Sequence, residues 1–174
     1  MTTILITGAN GFIGKNLCAA LSLKEDISIL KYDIDNSYEE LEKYIGISDF
    51  IFHLAGINRP INAEEFDKGN RGLTEDILSL IEKTGRNIPV VLTSSIQADI
   101  DNPYGISKRK AEDAVFDWAK RTGGKAYVYR LPNVFGKWCR PNYNSVVATF
   151  CNNIANDLPI TINVTKSILI IDFP

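Results

Sequence analysis

Apolar runs alternate with amphipathic stretches along most of the chain. Residues 3–7, 27–32, 50–54, 89–93 and 126–130 are apolar runs of strand length. Between them, residues 12–23, 38–45, 72–83 and 104–121 repeat apolar positions at helical spacing. In the first of these helices Phe12, Ile13, Leu17, Ala20 and Leu21 form the apolar stripe. In the last, Ala111, Ala114, Val115 and Trp118 face inward, and Arg109, Lys110, Glu112, Asp113 and Lys120 face water. Gly85 and the pair Gly123-Gly124 stand where two helices should stop, as C-terminal caps. Five strands separated by helices are the sequence form of repeated βα units, which predicts an α/β fold: a parallel sheet with helices on both faces.

Beyond Gly136 the pattern changes. Lys137-Trp138-Cys139-Arg140-Pro141-Asn142-Tyr143-Asn144-Ser145 reads as a polar, aromatic loop, followed by a helix at 146–156 and a short strand at 159–163. An apolar, strand-like stretch at 167–174 closes the sequence. A doubly wound sheet normally has a sixth strand, and a substrate-binding lobe needs more residues than these. The expectation is therefore a domain interrupted partway.

Composition narrows the partners. The 174 residues carry 19 Lys and Arg against 21 Asp and Glu, a net charge of −2, and 45% are apolar, enough for one domain with its own core. The cations are scattered and the balance is mildly acidic, so no basic field attracts nucleic acid. No apolar run approaches the roughly 18–20 residues that span a bilayer, and the first residues lack the basic head and cleavage site of a signal peptide, so no membrane is expected. Cys18, Cys139 and Cys151 are odd in number and lack Cys-x-x-Cys spacing, as in a reduced, cytoplasmic protein. His53 is the only histidine, and no metal site is expected.

The strongest local signal is Thr7-Gly8-Ala9-Asn10-Gly11-Phe12-Ile13-Gly14, set between a strand and a helix. Gly8 permits the tight turn, Gly11 lets backbone approach a pyrophosphate, and Gly14 lets the helix pack close on the strand. The helix N-terminus then faces the anion. In this context the glycine pattern, with Asn10, Phe12 and Ile13 inside it, reads as a Rossmann-type dinucleotide site, and the sheet as doubly wound. The domains divide at 1–136, the NAD(P)-binding unit, and 137–174, the start of a substrate-binding region. Asp33 ends the second strand about 20 residues past the glycines, where a carboxylate accepts from the adenine ribose hydroxyls and repels a 2′-phosphate, which favours NADH. Lys31 close by could partly offset that repulsion.

Tyr104-Gly105-Ile106-Ser107-Lys108 opens the long helix, and four-residue spacing puts Tyr104 and Lys108 on one face. A free phenol with a pKa of about 10 is a poor acid–base catalyst near neutrality. A neighbouring ammonium, joined by an oxidised nicotinamide, favours phenolate and brings it toward working pH. Lys108 also reaches for the nicotinamide ribose. Ser94 and Ser95 lie past the fourth strand at its carboxyl end, where open α/β sheets bind ligands. Ser95 is chosen to polarise the substrate oxygen that Tyr104 protonates, while Ser94 reads at least as well as a turn cap.

Together these segments resemble the extended short-chain dehydrogenase/reductase superfamily, which modifies nucleotide sugars. The resemblance implies that His53-Leu54-Ala55-Gly56 passes beside the cofactor, with Leu54, Ala55 and Gly56 touching it and His53 merely packed. In Arg130-Leu131-Pro132-Asn133-Val134-Phe135-Gly136 it implies that Asn133 approaches the diphosphate of a UDP-sugar, and it gives Asn70 a mostly structural role. Gly56-Ile57-Asn58-Arg59-Pro60, Ser94-Ser95-Ile96-Gln97-Ala98 and above all residues 135–145 are similar to the reductase half of the bifunctional CapF family. That likeness implies NAD(P)H-dependent reduction of the C4 ketone of a UDP-4-keto-6-deoxy-amino-sugar, toward UDP-N-acetyl-L-fucosamine for capsule or O-antigen, with NADPH as reductant and the family's cupin domain missing. A homodimer through the helices at 72–83 and 104–121 is implied in the same way. A sugar 4,6-dehydratase is disfavoured, because Ile96 and Gln97 stand where it needs an acid–base pair. A UDP-sugar 4-epimerase uses the same Ser-Tyr-Lys set and is the alternative reaction. The alternative class is a dinucleotide-binding remnant or sensor without turnover.

Overall fold

The structure is a computed structural model in which residues 1–60, 62, 64–162 and 169–173 are described. β1 (Thr2–Thr7), β2 (Ile27–Tyr32), β3 (Phe50–His53), β4 (Val90–Ser95) and β5 (Ala126–Leu131) form one sheet in the order β2-β1-β3-β4-β5. Every neighbouring pair is parallel. The sheet therefore reverses its winding between β1 and β3, and the crevice at the carboxyl ends of those two strands is where such sheets take ligands.

Alternation along β1 sorts the two layers. Ile4 and Ile6 point to the face covered by α1 (Phe12–Leu21), meeting Leu17, Cys18 and Leu21. Leu5 points to the opposite face, under α2 (Tyr38–Ile47), α4 (Leu73–Thr84) and α5 (Pro103–Thr122). There it packs in one cluster with Leu41, Ile45, Ile77, Ile81 and Val115, all virtually without solvent contact. Each such side chain contributes about 1.5–3 kcal/mol on burial.

The helix boundaries have local causes. Ser37 and Glu40 close a reciprocal capping box at the start of α2. Asn102 caps α5 by accepting from the Gly105 N–H, with Pro103 at the first helical position. Gly85 and Gly123 end α4 and α5 in the left-handed conformation, as their sequence positions predict.

Two expectations need correction, and the strand count stands. Helical structure begins well before residue 72: α3 (Glu64–Phe66) leads into a π-helical stretch at Asp67–Gly72 that continues into α4. Lys110 and Arg71 both pair with Asp67 and hold the segment wound despite Gly69 and Gly72. The main sheet has the five expected strands. Pro132 carries no N–H for a ladder, and past it β6 (Asn133–Gly136) leaves the sheet and pairs in parallel with β7 (Ile170–Phe173). Finally, Pro159 to Ile162 form no strand, and Asn163 lies outside the described residues. α6 (Val146–Ala155) begins where the sequence puts it, capped by Ser145. Among the described residues no helix is long and apolar enough to cross a membrane.

Candidate active site

The glycine turn is built by close approach. Gly8 has a φ of +67°, and a Cβ on it would lie 2.7 Å from the Ala55 nitrogen; a Cβ on Gly14 would lie 2.1 Å from the Gly8 carbonyl oxygen. Only glycine fits either place. The same packing brings residues 54–56 against the turn: the Leu54 N–H donates to the Thr7 carbonyl and the Ala55 N–H to Thr7 Oγ1. α1 starts at Gly11 with no side-chain cap and no acidic residue in its first turn, a helix start whose dipole suits an anion. Phe12 and Ile13 form that first turn. Backbone donors, a cradle that a Cβ would fill and an uncapped helix start together fit a dinucleotide pyrophosphate.

Asp33 closes the adenosine side. Its carboxylate accepts from the Asn10 N–H at 2.7 Å and the Ile34 N–H at 2.9 Å, so it braces the glycine loop. Both donors are neutral, and among the described residues no cation pairs with it.

On the other side of the crevice, a short 3₁₀ turn at Ile96–Asp99 follows β4 and abuts the start of α5. Ser95 Oγ caps that turn by accepting from the Gln97 N–H at 3.1 Å. The capping role thus belongs to Ser95, while Ser94 Oγ is buried without a partner among the described residues. The Tyr104 phenol, largely buried and tilted against Phe66, lies close to Ser95. Burial raises its pKa above the ordinary phenol value and the nearby Ser95 side chain works the other way. In the chain without ligand Lys108 is not what tunes this phenol.

Lys108, one turn along α5, donates from Nζ to the Thr93 carbonyl at 2.8 Å. Burial pulls its pKa down to about 8, with Glu112 opposing. A Cβ on Gly56 would lie 3.6 Å from that Nζ, so Lys108 and the 54–56 segment share one wall of the crevice. Ser95, Tyr104, Lys108, the glycine turn and residues 54–56 are therefore gathered at one end of the sheet. Asn133 is turned to its own loop: its Nδ2 donates to the Asn144 carbonyl and its Oδ1 accepts from the Val146 N–H.

Supporting residues surround the site, and of these Ser107 and Arg130 escape a sequence reading. Asn70, buried within the π-helical stretch, donates to the Ile57 carbonyl and to Ser107 Oγ and accepts from the Ile57 N–H. Ser107 in turn donates to the Tyr104 carbonyl. His53 is fully buried between Thr7 and Thr74, and burial pushes its pKa down to about 3, so it is a neutral packed residue. Arg130 grips Glu112 on α5 with two nitrogens and Asp99 on the 3₁₀ turn with a third. The only local signal among these is Gly105: a Cβ there would lie 2.2 Å from the Gln97 carbonyl and 2.4 Å from that of Ile100. Gly105→Ala is expected to force α5 off the 3₁₀ turn at a cost of about 1–3 kcal/mol, read as a lower midpoint in thermal unfolding.

A model of the NAD dependent epimerase/dehydratase family matches residues 4–167. The UDP-2-acetamido-2,6-beta-L-arabino-hexul-4-ose reductase of Pseudomonas aeruginosa is 52% identical over 160 residues, which are 92% of this chain and 43% of that protein. The crystal structure of the capsular polysaccharide assembling protein CapF from Staphylococcus aureus superposes with a TM-score of 0.85 at 43% identity, over 98% of this chain and 46% of that one. A UDP-glucuronic acid 4-epimerase from Bacillus cereus, solved with UDP-glucuronic acid and NAD, shares the fold at 19% identity, with a TM-score of 0.81 over 92% of this chain and 65% of that one. The chain spans less than half the length of the first two relatives.

Proposed function

The chain belongs to the NAD dependent epimerase/dehydratase family, and from that membership we propose that it reduces the C4 ketone of a UDP-4-keto-6-deoxy-amino-sugar with a reduced nicotinamide cofactor. When bound, that cofactor supplies the hydride; the protein supplies geometry and proton handling. Gly8, Asn10, Gly11, Phe12, Ile13 and Gly14 hold the pyrophosphate, Asp33 the adenosine ribose, and Leu54, Ala55 and Gly56 the neighbouring wall. Tyr104 gives its proton to the ketone oxygen, Ser95 hydrogen-bonds the same oxygen, and Lys108 holds the nicotinamide ribose and returns Tyr104 toward its acidic range. Asn133 reaches the diphosphate by exchanging its bonds to the Asn144 carbonyl and the Val146 N–H. Residues 1–136 act as the dinucleotide domain and 137–174 begin the region that receives the sugar.

The observation that carries the reaction is the Tyr104 phenol, beside Ser95 and one helical turn from a buried Lys108. The substrate class rests on the 52% identity to the Pseudomonas reductase. The route we propose is synthesis of UDP-N-acetyl-L-fucosamine for capsule or O-antigen in the cytoplasm, and the likeness to a capsular polysaccharide assembling protein supports its capsule arm. A homodimer through α4 and α5 would cover Phe116, which is half exposed on α5.

The test is spectroscopic. Purified chain given a UDP-4-keto-6-deoxy-amino-sugar and reduced cofactor is expected to consume the nicotinamide absorbance. Saturable cofactor binding without consumption would instead make the chain a binding module, and interconversion of UDP-hexoses without net oxidation would make it an epimerase.

For the cofactor we propose NADH, because the Asp33 carboxylate is held by two neutral N–H donors, with no cation paired to it among the described residues, and a carboxylate there repels a 2′-phosphate. Asp33→Asn removes the charge and keeps an acceptor oxygen for one of the two donors. The ratio of NADPH to NADH affinity is expected to rise roughly tenfold, equivalent to about 1.4 kcal/mol, by titration of cofactor fluorescence.

A further inference from the structure

The loop between β6 and α6 is fastened at three places around the crevice. Asn16 on α1 donates to the Lys137 carbonyl at 2.8 Å. The Tyr143 hydroxyl donates to Asn58 Oδ1 at 2.6 Å, and Arg59, in the loop after β3, donates to Asn144 Oδ1 and to the Tyr143 carbonyl. Asn133 donates to the Asn144 carbonyl. The loop thus runs from the glycine-turn helix to the loop after β3 and back to Asn133.

Its charge is unusual for this protein. Arg71, Arg86, Arg109, Arg121 and Arg130 each pair with a carboxylate. Among the described residues Arg59 and Arg140 pair with none. Both guanidiniums lie instead against the ring of Tyr143, at 4.5 Å and 5.4 Å from its centroid. Both residues are exposed, so water screens the two like charges and leaves both guanidiniums open to an anion. The loop also carries Trp138 at φ +65° and Asn142 at φ +54°. A bulky residue in the left-handed region stores strain of about 1–3 kcal/mol, which persists where surroundings over-determine a functional geometry.

We propose that Arg59 and Arg140, spaced by the Tyr143 ring, form the anion subsite for the diphosphate of the nucleotide-sugar substrate, next to Asn133. The assignment rests on the reductase reading above and extends it to residues which that reading does not use. A diphosphate brings the two negative charges that the pair lacks, and guanidiniums match phosphate oxygens in a planar fork. The dinucleotide's own pyrophosphate has its donors already, at the backbone of the glycine turn and the start of α1. Arg59 and Arg140 come from other loops, joined to Asn133 through Asn144.

UDP, uridine and NADH are the probes, each titrated calorimetrically into the purified chain. Arg140→Gln is the cleaner variant, since Arg140 touches Tyr143 only by its charge. UDP affinity is expected to fall roughly tenfold or more in Arg140→Gln and again in Arg59→Gln, while NADH affinity stays within about twofold and Arg59→Lys recovers part of the loss. The UDP loss should shrink at high salt, and uridine, which has no phosphate, should bind both variants as it binds wild type. Unchanged melting curves show that the variants are folded. If wild type binds UDP and both variants bind it equally well, the subsite assignment is wrong and the reductase reading stands. If NADH affinity falls with that of UDP, the cations serve the cofactor, which also overturns it. If wild type binds NADH but no UDP, the nucleotide-sugar reading itself fails and the subsite with it.

Discussion

Replacing Tyr104 by phenylalanine is expected to slow ketone reduction by about 10²–10⁴-fold while leaving NADH binding nearly unchanged. The ring keeps its packing against Phe66 and only the hydroxyl beside Ser95 is lost. The protein loses its proton donor at the substrate oxygen, and Ser95 remains as a hydrogen-bonding group without an acid behind it. The direction of the pKa shift favours reduction. Burial holds the free phenol above its ordinary value, so at neutral pH it is fully protonated and ready to give a proton away. In the oxidative direction the same group must start as phenolate, which burial opposes until a cation arrives beside it. Reduction should therefore stay flat across neutral pH and fall on the alkaline side, whereas the reverse reaction should rise with pH. Single-turnover rates for Tyr104→Phe, measured at saturating NADH, check both points. A variant that reduces the sugar at the wild-type rate would remove Tyr104 from the chemistry.

What the sequence makes legible is what lies within one turn or one strand of itself. The glycine turn, Asp33 at the end of β2, and Tyr104 with Lys108 on one helical face are local patterns, and the structure gathers them at one end of a parallel sheet. The sheet follows from alternation and length alone. Arg130 holding Asp99 and Glu112 is different, because it joins three elements through charges that each read as solvated. Asn70 has no local signature either; its value lies in Ile57 and Ser107, which only the tertiary fold brings to it. The π-helical stretch at Asp67–Gly72 contradicts its own glycines, since ion pairs from α5 and within the segment outweigh their low helix propensity. Ser94 and Ser95 show how fine the limit is. Adjacent residues of one type point to opposite faces of β4, and no local pattern tells the capping hydroxyl from the unpartnered one.

Lys108→Met should slow reduction by about 10²–10³-fold and, in the same protein, reverse one contribution to stability. The native ammonium is desolvated, with a pKa of about 8 against 10.5 for the exposed side chain. At about 1.36 kcal/mol per unit, confining the charged form costs on the order of 3 kcal/mol. Below pH 8 both the folded and the unfolded chain carry the proton, so the cost is present in full and constant. Between pH 8 and about 10.5 the unfolded chain holds more protons than the folded one, and stability attributable to Lys108 rises with pH. Methionine has no such dependence. The difference in unfolding free energy, wild type minus variant, is therefore expected to move toward wild type by up to about 3 kcal/mol across that window. Other titrating groups are common to both chains and cancel. Part of the variant's advantage at pH 7 is offset because the Thr93 carbonyl loses its donor, at about 1–3 kcal/mol, so the slope against pH is the sharper reading. A flat difference across the window would mean that Lys108 titrates like a surface lysine. On the proposed reaction, a lysine buried at this cost, beside Gly56 and one turn from Tyr104, serves the chemistry at the expense of the fold.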